Sequence, residues 1–274
     1  MPVLNSEKTI LQAAPLGEAA SLYLDVLRSI FSQLVLLGHG ISFYGVMELM
    51  QPPNFPWIQS IAVVGFFWLS GSLICHSVLL HKQRNREYRF SDFFFARFAR
   101  IYTGFVPALL FVLLMDWVFI EMYPDKYEFY SSFSLNVAIS NFFMLQKFPV
   151  EYFYAPMFGS ASTWWTLGIE WWLYMLFGWI FVLKKGRVRG EIYWSVLLLV
   201  SIVPVNYAVR GTGYVGIGLS LVWFIACGFA VAKDMICENL SRDLMLAGAV
   251  ILLILAVARY MVSMDAYDFI ASMY

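Results

Sequence analysis

The sequence predicts an all-α membrane protein with about seven transmembrane helices and one shorter helix that is re-entrant or interfacial. Of its 274 residues, 61% are hydrophobic and only 13% are charged. Soluble domains are about half apolar and about a quarter charged. Several apolar runs also reach the length of about 20 residues that a helix needs to cross a bilayer. Both observations indicate a chain that is surrounded by lipid.

The apolar runs set the predicted order of elements. A polar N-terminal tail over residues 1–21 precedes a membrane domain over residues 22–274, and we expect the tail to be cytosolic. Residues 134–145 are too few and too polar to span, so they predict the re-entrant or interfacial helix. The predicted spans are residues 22–45, 57–80, 99–120, 162–183, 191–209, 213–232 and 243–263.

The distribution of lysine and arginine predicts the orientation, because cytoplasmic loops are enriched in these residues. The connections after the second and the fourth span are basic, whereas residues 121–160 carry Lys126 and Lys147 against four acidic residues. Seven spans with the N-terminus inside place both basic connections in the cytoplasm. Counting 134–145 as a further span would place the second basic connection outside, so we exclude it as a span.

Net charge and cysteine usage narrow the classes of partner. Lys+Arg and Asp+Glu are equal at 18 each, so net charge favours no particular partner, and we expect no nucleic acid to bind. The 3 cysteines have no metal-binding or redox spacing. They therefore predict neither a disulfide framework nor a metal site.

The first span carries three ionisable side chains, each of which opposes insertion by about 3 kcal/mol at the bilayer centre. They are Asp25, Arg28 and His39. Arg28 and His39 lie on one helix face, about 16 Å apart along the axis, with Ser32 on the same stripe. This stripe predicts a cation near the cytoplasmic end and an imidazole deep in the membrane. Alternatively, Arg28 reaches the inner interface and pairs with Asp25, and His39 makes a hydrogen bond between helices.

The fourth span carries Glu170, with Thr166 one turn before it and Tyr174 one turn after it. Counted from an outer end near Ser162, Glu170 lies about 12 Å along the helix, and His39 reaches a similar level from the inner side. A carboxylate and an imidazole at matching depth predict a general acid–base pair. The alternative is a structural bond that locks two helices together.

The third span has an arginine pair at its cytoplasmic mouth. Arg97 and Arg100 lie three residues apart in the segment FARFARIY, and such a pair can hold phosphate oxygens. The topological preference for cytoplasmic arginine explains the pair equally well. Asp116 lies near the outer end of the same span, where we expect it to reach water.

Taken together, these motifs resemble acyltransferase family 3, the integral membrane O-acyltransferases of bacterial surface polysaccharides. Five elements occur in the family's order over residues 22–180: LDVLRSIFSQLVLLGH, GFFWLSGSLI, RFARIY, NFFML and WWTLGIEWWLY. The chain departs from the family at Ala96, where the first of two adjacent arginines is usual, and at Thr103, which replaces a common proline. Members have about ten spans, so the resemblance implies the family fold without its last helices and a C-terminally short domain.

The resemblance implies an enzyme of the cell inner (plasma) membrane that transfers an acyl group, commonly acetyl. The donor is cytosolic acetyl-CoA or another acyl-CoA, which is a substrate and not a permanently bound cofactor. The acceptor is a hydroxyl of an extracytoplasmic glycan or lipid-linked sugar. A different function remains open: a non-catalytic, degenerate chain, or a membrane protein of glycan or lipid transport or assembly.

The resemblance also implies roles for individual residues. The catalytic residues would be His39 and Glu170. The CoA-binding residues would be Arg28, Arg97 and Arg100. Four polar side chains beside these would have supporting roles: Asp25, Ser32, Thr166 and Tyr174.

Overall fold

The structure, a computed structural model, describes residues 16–52, 54–84, 88–147, 155–182 and 214–239, with single positions at 206, 241, 244, 247, 250 and 251. Within these residues the regular structure is α-helical, with two short 3-10 turns and one isolated bridge between Gln146 and Ala155. The α-helices are α1 (Glu18–Tyr44), α2 (Ile58–Arg84), α3 (Phe90–Met122), α4 (Leu135–Phe142), α5 (Trp165–Phe181) and α6 (Tyr214–Asn239).

Four of these helices contain segments long and apolar enough to cross a membrane, which confirms an α-helical multi-pass membrane protein. They overlap the predicted spans 22–45, 57–80, 99–120 and 213–232. The predicted spans 191–209 and 243–263 and the basic connection after residue 183 lie outside the described residues, apart from single positions. The four segments are Glu18–Tyr44, Ile58–His81, Phe90–Met122 and Val215–Ala232.

Helix α3 starts well before the apolar run that predicted it. Its first residue is Phe90, and the amide of Arg89 donates to the carboxylate of Asp92 at 3.2 Å, which caps the helix start. The helix is 33 residues long, about 50 Å, and is therefore longer than the hydrocarbon core of about 30 Å.

Two compact units make up the fold, Met1–Glu87 with Gly218–Tyr274, and Tyr88–Ile217. In the first unit α1 packs on α2 through two glycines. A side chain at Gly38 would collide with Gln59, and one at Gly65 would collide with the ring of Phe31. Small residues allow helices to approach closely in membranes, and these two fix the contact of α1 with α2.

In the same unit α2 also packs on α6. The indole of Trp223 donates to the Ser70 hydroxyl at 3.3 Å, and the Cys227 thiol lies 3.2 Å from the Gly71 carbonyl oxygen. Cys75 and Cys227 are both buried.

In the second unit α3 and α5 pack antiparallel through a row of aromatic rings. Ring centroids lie 6.3 Å apart for Phe93 and Phe177, and 5.4 Å apart for Tyr102 and Trp171. The N-terminal end of α5 is fixed by a third contact, 5.2 Å between Phe105 and Trp164. Helix α5 therefore begins level with Phe105. It is 17 residues long, fewer than the about 20 that cross a bilayer.

The short helix predicted from residues 134–145 is present as α4. Its N-cap is Ser134, whose hydroxyl accepts from the Val137 amide at 3.4 Å. At its other end the Asn141 side chain, fully buried, donates to the Pro156 carbonyl and accepts from the Phe158 amide. Asn141 thus ties α4 to the chain that leads into α5.

Candidate active site

Arg97 lies at the contact of α3 with α5, held between aromatic rings. Its guanidinium carbon is 5.7 Å from the centroid of the Phe93 ring and 6.0 Å from that of the Tyr174 ring. Such cation–π contacts stabilise a charge that is shielded from water. The Nε atom is buried and has no hydrogen-bond partner among the described residues. The rings hold Arg97 in place without an ion pair in the described part of the chain.

Tyr174 links Arg97 to the glutamate of α5. The Tyr174 side chain is fully buried, and its hydroxyl donates to Oε1 of Glu170, one turn away. Glu170 itself is half-buried and lies within electrostatic range of Arg97. We refer to Arg97, Tyr174 and Glu170 as the α3–α5 cluster. It combines a fixed cation with a hydrogen-bonded carboxylate, which together can bind an anionic ligand and orient a polar one.

Two other predicted residues flank this cluster. Arg100 follows Arg97 by one turn and is exposed, so two guanidinium groups of α3 lie close together with one of them open to solvent or lipid. Thr166 precedes Glu170 by one turn and is half-buried. The sequence predicted these residues one by one, and the structure brings Arg97 together with Glu170 and Tyr174.

The structure gives the level of Glu170 along α3. The sequence prediction counted this level from an outer end of the helix near Ser162. In the structure Trp164 packs on Phe105, seventeen residues before the end of α3, about 26 Å along the axis. Trp171, the neighbour of Glu170, packs on Phe98 with centroids 6.3 Å apart. Glu170 therefore lies level with the N-terminal half of α3, near Arg97, and not near the outer end of that helix.

The predicted residues of α1 lie in the first unit. Helix α1 is unbroken from Glu18 to Tyr44, so Arg28 and His39 do lie on one face of one helix. Arg28 Nη1 is 2.9 Å from Asp25 Oδ1, which is the ion pair expected in the alternative reading. The Ser32 hydroxyl donates to the Ser29 carbonyl at 2.8 Å.

His39 stacks on Phe43 one turn further along α1, with ring centroids 5.6 Å apart. It follows Gly38, the close contact with Gln59 on α2. His39 and Glu170 belong to different compact units, so their pairing as acid and base stays a prediction.

Asp116 forms a polar site that the sequence did not reveal. It is only 4% exposed, so the expectation that it reaches water was wrong. Its carboxylate accepts hydrogen bonds from the Tyr127 hydroxyl, the Ser160 amide and the Ser160 hydroxyl, each at 2.8 Å. Gly159, with φ of 52°, lets the chain pass directly against the carboxylate. No motif in the sequence indicates that residues 116 and 160 lie close together.

This site predicts how stability depends on pH. Burial raises the pKa of Tyr127 above its ordinary value of 10.0, and the hydrogen bond to Asp116 raises the pKa further. The folded protein therefore keeps this proton at a pH where the unfolded chain loses it, and stability should fall as pH rises above about 10. Tyr127→Phe should show a flatter decline of melting temperature between about pH 9 and 11. Tyr130→Phe, which removes an exposed phenol from the same region, is the control, and equal slopes in all three proteins would contradict the expectation.

Ionisable side chains inside membrane helices usually mark a functional site. The α3–α5 cluster therefore indicates a membrane protein with a polar functional site between its helices. Residues 21–274 match the family model of acyltransferase family 3, described as an acyltransferase domain. The match covers most of the chain, and the protein belongs to this family. This family match confirms the resemblance seen in the motifs. No curated protein and no solved structure matches the chain at a significant level.

Proposed function

We propose that the protein transfers an acyl group from cytosolic acyl-CoA to a hydroxyl of an extracytoplasmic glycan or lipid-linked sugar. The acyl group that we propose is acetyl. Membership of an acyltransferase family supports acyl transfer. The observation that carries the choice of donor is the α3–α5 cluster, a cation held by two rings and a carboxylate held by a tyrosine. The four long apolar helices support a site inside the membrane.

The arginines of α3 suit the donor because CoA is rich in phosphate. Guanidinium groups bind phosphate oxygens through paired N–H donors. Arg97 and Arg100 are one turn apart, with Arg97 half-buried and Arg100 exposed. In the proposed orientation the N-terminus and the start of α3 are cytoplasmic, so both arginines face the compartment that supplies acyl-CoA. The proposed orientation also has seven spans, with the connection over residues 121–160 entering from the outer side.

The reaction requires a base for the acceptor hydroxyl and an acid for the departing thiolate. We assign both tasks to His39. Its imidazole would take the hydroxyl proton as the oxygen attacks the thioester carbonyl, and would return that proton to the CoA sulfur as the carbon–sulfur bond breaks. Glu170 would act through its negative charge, which Tyr174 orients by its hydrogen bond.

The donor assignment is tested by removing one charge from the arginine pair. Arg97→Gln should weaken binding of acetyl-CoA to the protein in nanodiscs by about tenfold or more, since a hydrogen bond to a charged group contributes about 1.5–3 kcal/mol. Added salt should weaken binding by the unaltered protein. Isothermal titration or a filter-binding assay with labelled acetyl-CoA measures both effects.

Arg84→Gln is the matched control, because Arg84 is exposed at the end of α2 and carries the same charge. It should change the affinity less than twofold. If folded Arg97→Gln protein binds acetyl-CoA as tightly as the Arg84→Gln protein, the pair serves topology alone and the donor assignment fails.

A further inference from the structure

The chain that joins α3 to α5 is fixed to α3 at two widely separated levels. At the first level Asp116 accepts from the Tyr127 hydroxyl and from Ser160. At the second level the Tyr102 hydroxyl donates to the Phe142 carbonyl oxygen at 2.7 Å. Tyr102 precedes Asp116 by fourteen residues, about 21 Å of helix. The connection therefore runs down along α3 and back, and does not lie across its end.

Among the described residues of this connection, residues 142–147 lie furthest towards the start of α3, and we call them the tip. The Trp172 indole donates to the Met144 carbonyl oxygen at 2.8 Å. The Gln146 amide donates to the Trp164 carbonyl oxygen at 3.0 Å. Trp172 lies on α5 between Glu170 and Tyr174. The tip thus reaches the level of the α3–α5 cluster.

Helix α4, which leads to the tip, has its apolar side exposed and its polar side buried. Leu135, Ile139 and Phe143 are 75%, 48% and 58% exposed, whereas Asn141 is fully buried. A helix in water shows the opposite arrangement, with polar side chains outside. Lipid around α4 accounts for this arrangement, and α3 presents a similar exposed apolar side between Tyr102 and Asp116, with Leu110 at 60%. These exposures place α4 beside hydrocarbon.

The backbone of the tip is not helical, and this has a consequence inside a membrane. Met144 and Lys147 have φ of 58° and 54°, and the Lys147 amide donates to the Ala155 carbonyl. Irregular backbone at membrane depth occurs only where it is buried in protein or lines a water-filled cavity. Lys147 is half-exposed, and an exposed ammonium at this level is stable where water reaches it.

We infer that the described residues 130–147 and 155–164 form a re-entrant segment whose tip is wetted from the outer side of the membrane. Water, and with it a polar acceptor, then descends to the level of Glu170 from outside. Arg97 and Tyr102 are five residues apart on α3, about 8 Å. The donor's phosphates and the outer water are thus separated along α3 by a fraction of the bilayer thickness. The part of this inference that concerns the acceptor rests on the proposed function, and the segment's path does not.

Accessibility of single cysteines tests the path. In a background with Cys75, Cys227 and Cys237 replaced by serine, Lys147→Cys should react with a membrane-impermeant thiol reagent added outside. Ser131→Cys and Gln83→Cys mark the outer and inner sides. Leu110→Cys, at an intermediate level of α3 with its side chain exposed, is the matched control for lipid and should react at least about tenfold more slowly than Lys147→Cys. Ser162→Cys tests a second position, within residues 155–164 that lead back to α5. It should also react with the reagent added outside.

Three results would overturn the inference. Reaction of Lys147→Cys from the inner side would mean that the segment crosses the membrane. Reaction as slow as that of Leu110→Cys from both sides, in protein that elutes as folded, would mean that the tip is dry. A fluorophore can be attached in place of Ile139 on α4. If only lipids labelled near the headgroup quench it, α4 is an interfacial helix. If Lys147→Cys reacts from outside but no acyl transfer is found, the re-entrant segment stands and the proposed function fails.

Discussion

Replacing His39 with alanine should lower the rate of acyl transfer by about 10²- to 10⁴-fold, the usual contribution of a general base. The expectation follows from the position of His39. It is an imidazole on a helix long and apolar enough to span, on the same face as Arg28, in a chain of an acyltransferase family. The measurement is acetyl transfer from labelled acetyl-CoA by protein in liposomes, normalised to folded protein.

His81→Ala is the matched control for this variant. It also removes an imidazole, but from an exposed position near the end of α2, where its ring contacts the Ser77 carbonyl. Its rate should stay within twofold of that of the unaltered protein. If His39 only packs on Phe43, His39→Ala should melt at a lower temperature while each folded molecule keeps its rate. A substantial rate in folded His39→Ala protein would refute the assignment of the base.

Hydropathy predicted the helices well because lipid selects for long apolar runs. The run 22–45 corresponds to α1, and the run 57–80 corresponds to α2. The start of α3 was missed by nine residues, since hydropathy indicates which residues lie in hydrocarbon and not where a helix begins. The capping contact of Arg89 with Asp92, three residues apart, is the local signal that could have located Phe90.

The site was predicted as single residues but not as an arrangement. Arg97, Glu170 and Tyr174 were all selected because ionisable groups in spans require a reason. Their proximity depends on how far α5 is displaced along α3, and an apolar run carries no information about that displacement. The prediction counted the depth of Glu170 from a membrane surface near Ser162. The structure shows instead that α5 begins level with Phe105, in the N-terminal half of α3.

Buried polar anchors were the largest omission. Asp116, Asn141 and Gln146 are all buried and fix the chain between α3 and α5. Each bonds to backbone groups far away in sequence, so no short motif contains both partners. Asp116 was expected in water because hydropathy treats a carboxylate near the end of a span as solvated. Only a folded structure reveals that other parts of the chain surround it.

The α3–α5 cluster predicts a specific pattern of mutant effects. Glu170→Gln keeps the shape of the side chain but removes its charge, and should lower transfer by about 10²-fold. Tyr174→Phe keeps the ring against which Arg97 lies but removes the hydroxyl bonded to Glu170. It should lower transfer by about tenfold, roughly the effect of one hydrogen bond to a charged group. Since the hydroxyl acts through the carboxylate, the double variant should be no slower than Glu170→Gln alone.

The matched control for the lost hydroxyl is Tyr127→Phe, which also removes a hydrogen bond from a buried tyrosine to a carboxylate, that of Asp116. Asp116 follows Arg97 by nineteen residues on α3, about 28 Å, so the control should lose stability and keep its rate per folded molecule. Rates of all four variants with saturating and limiting acetyl-CoA separate binding from turnover. Independent, multiplying losses in the double variant would show that Tyr174 does not act by orienting Glu170. Lowered melting temperatures with unchanged turnover would show that the cluster only holds α3 and α5 together.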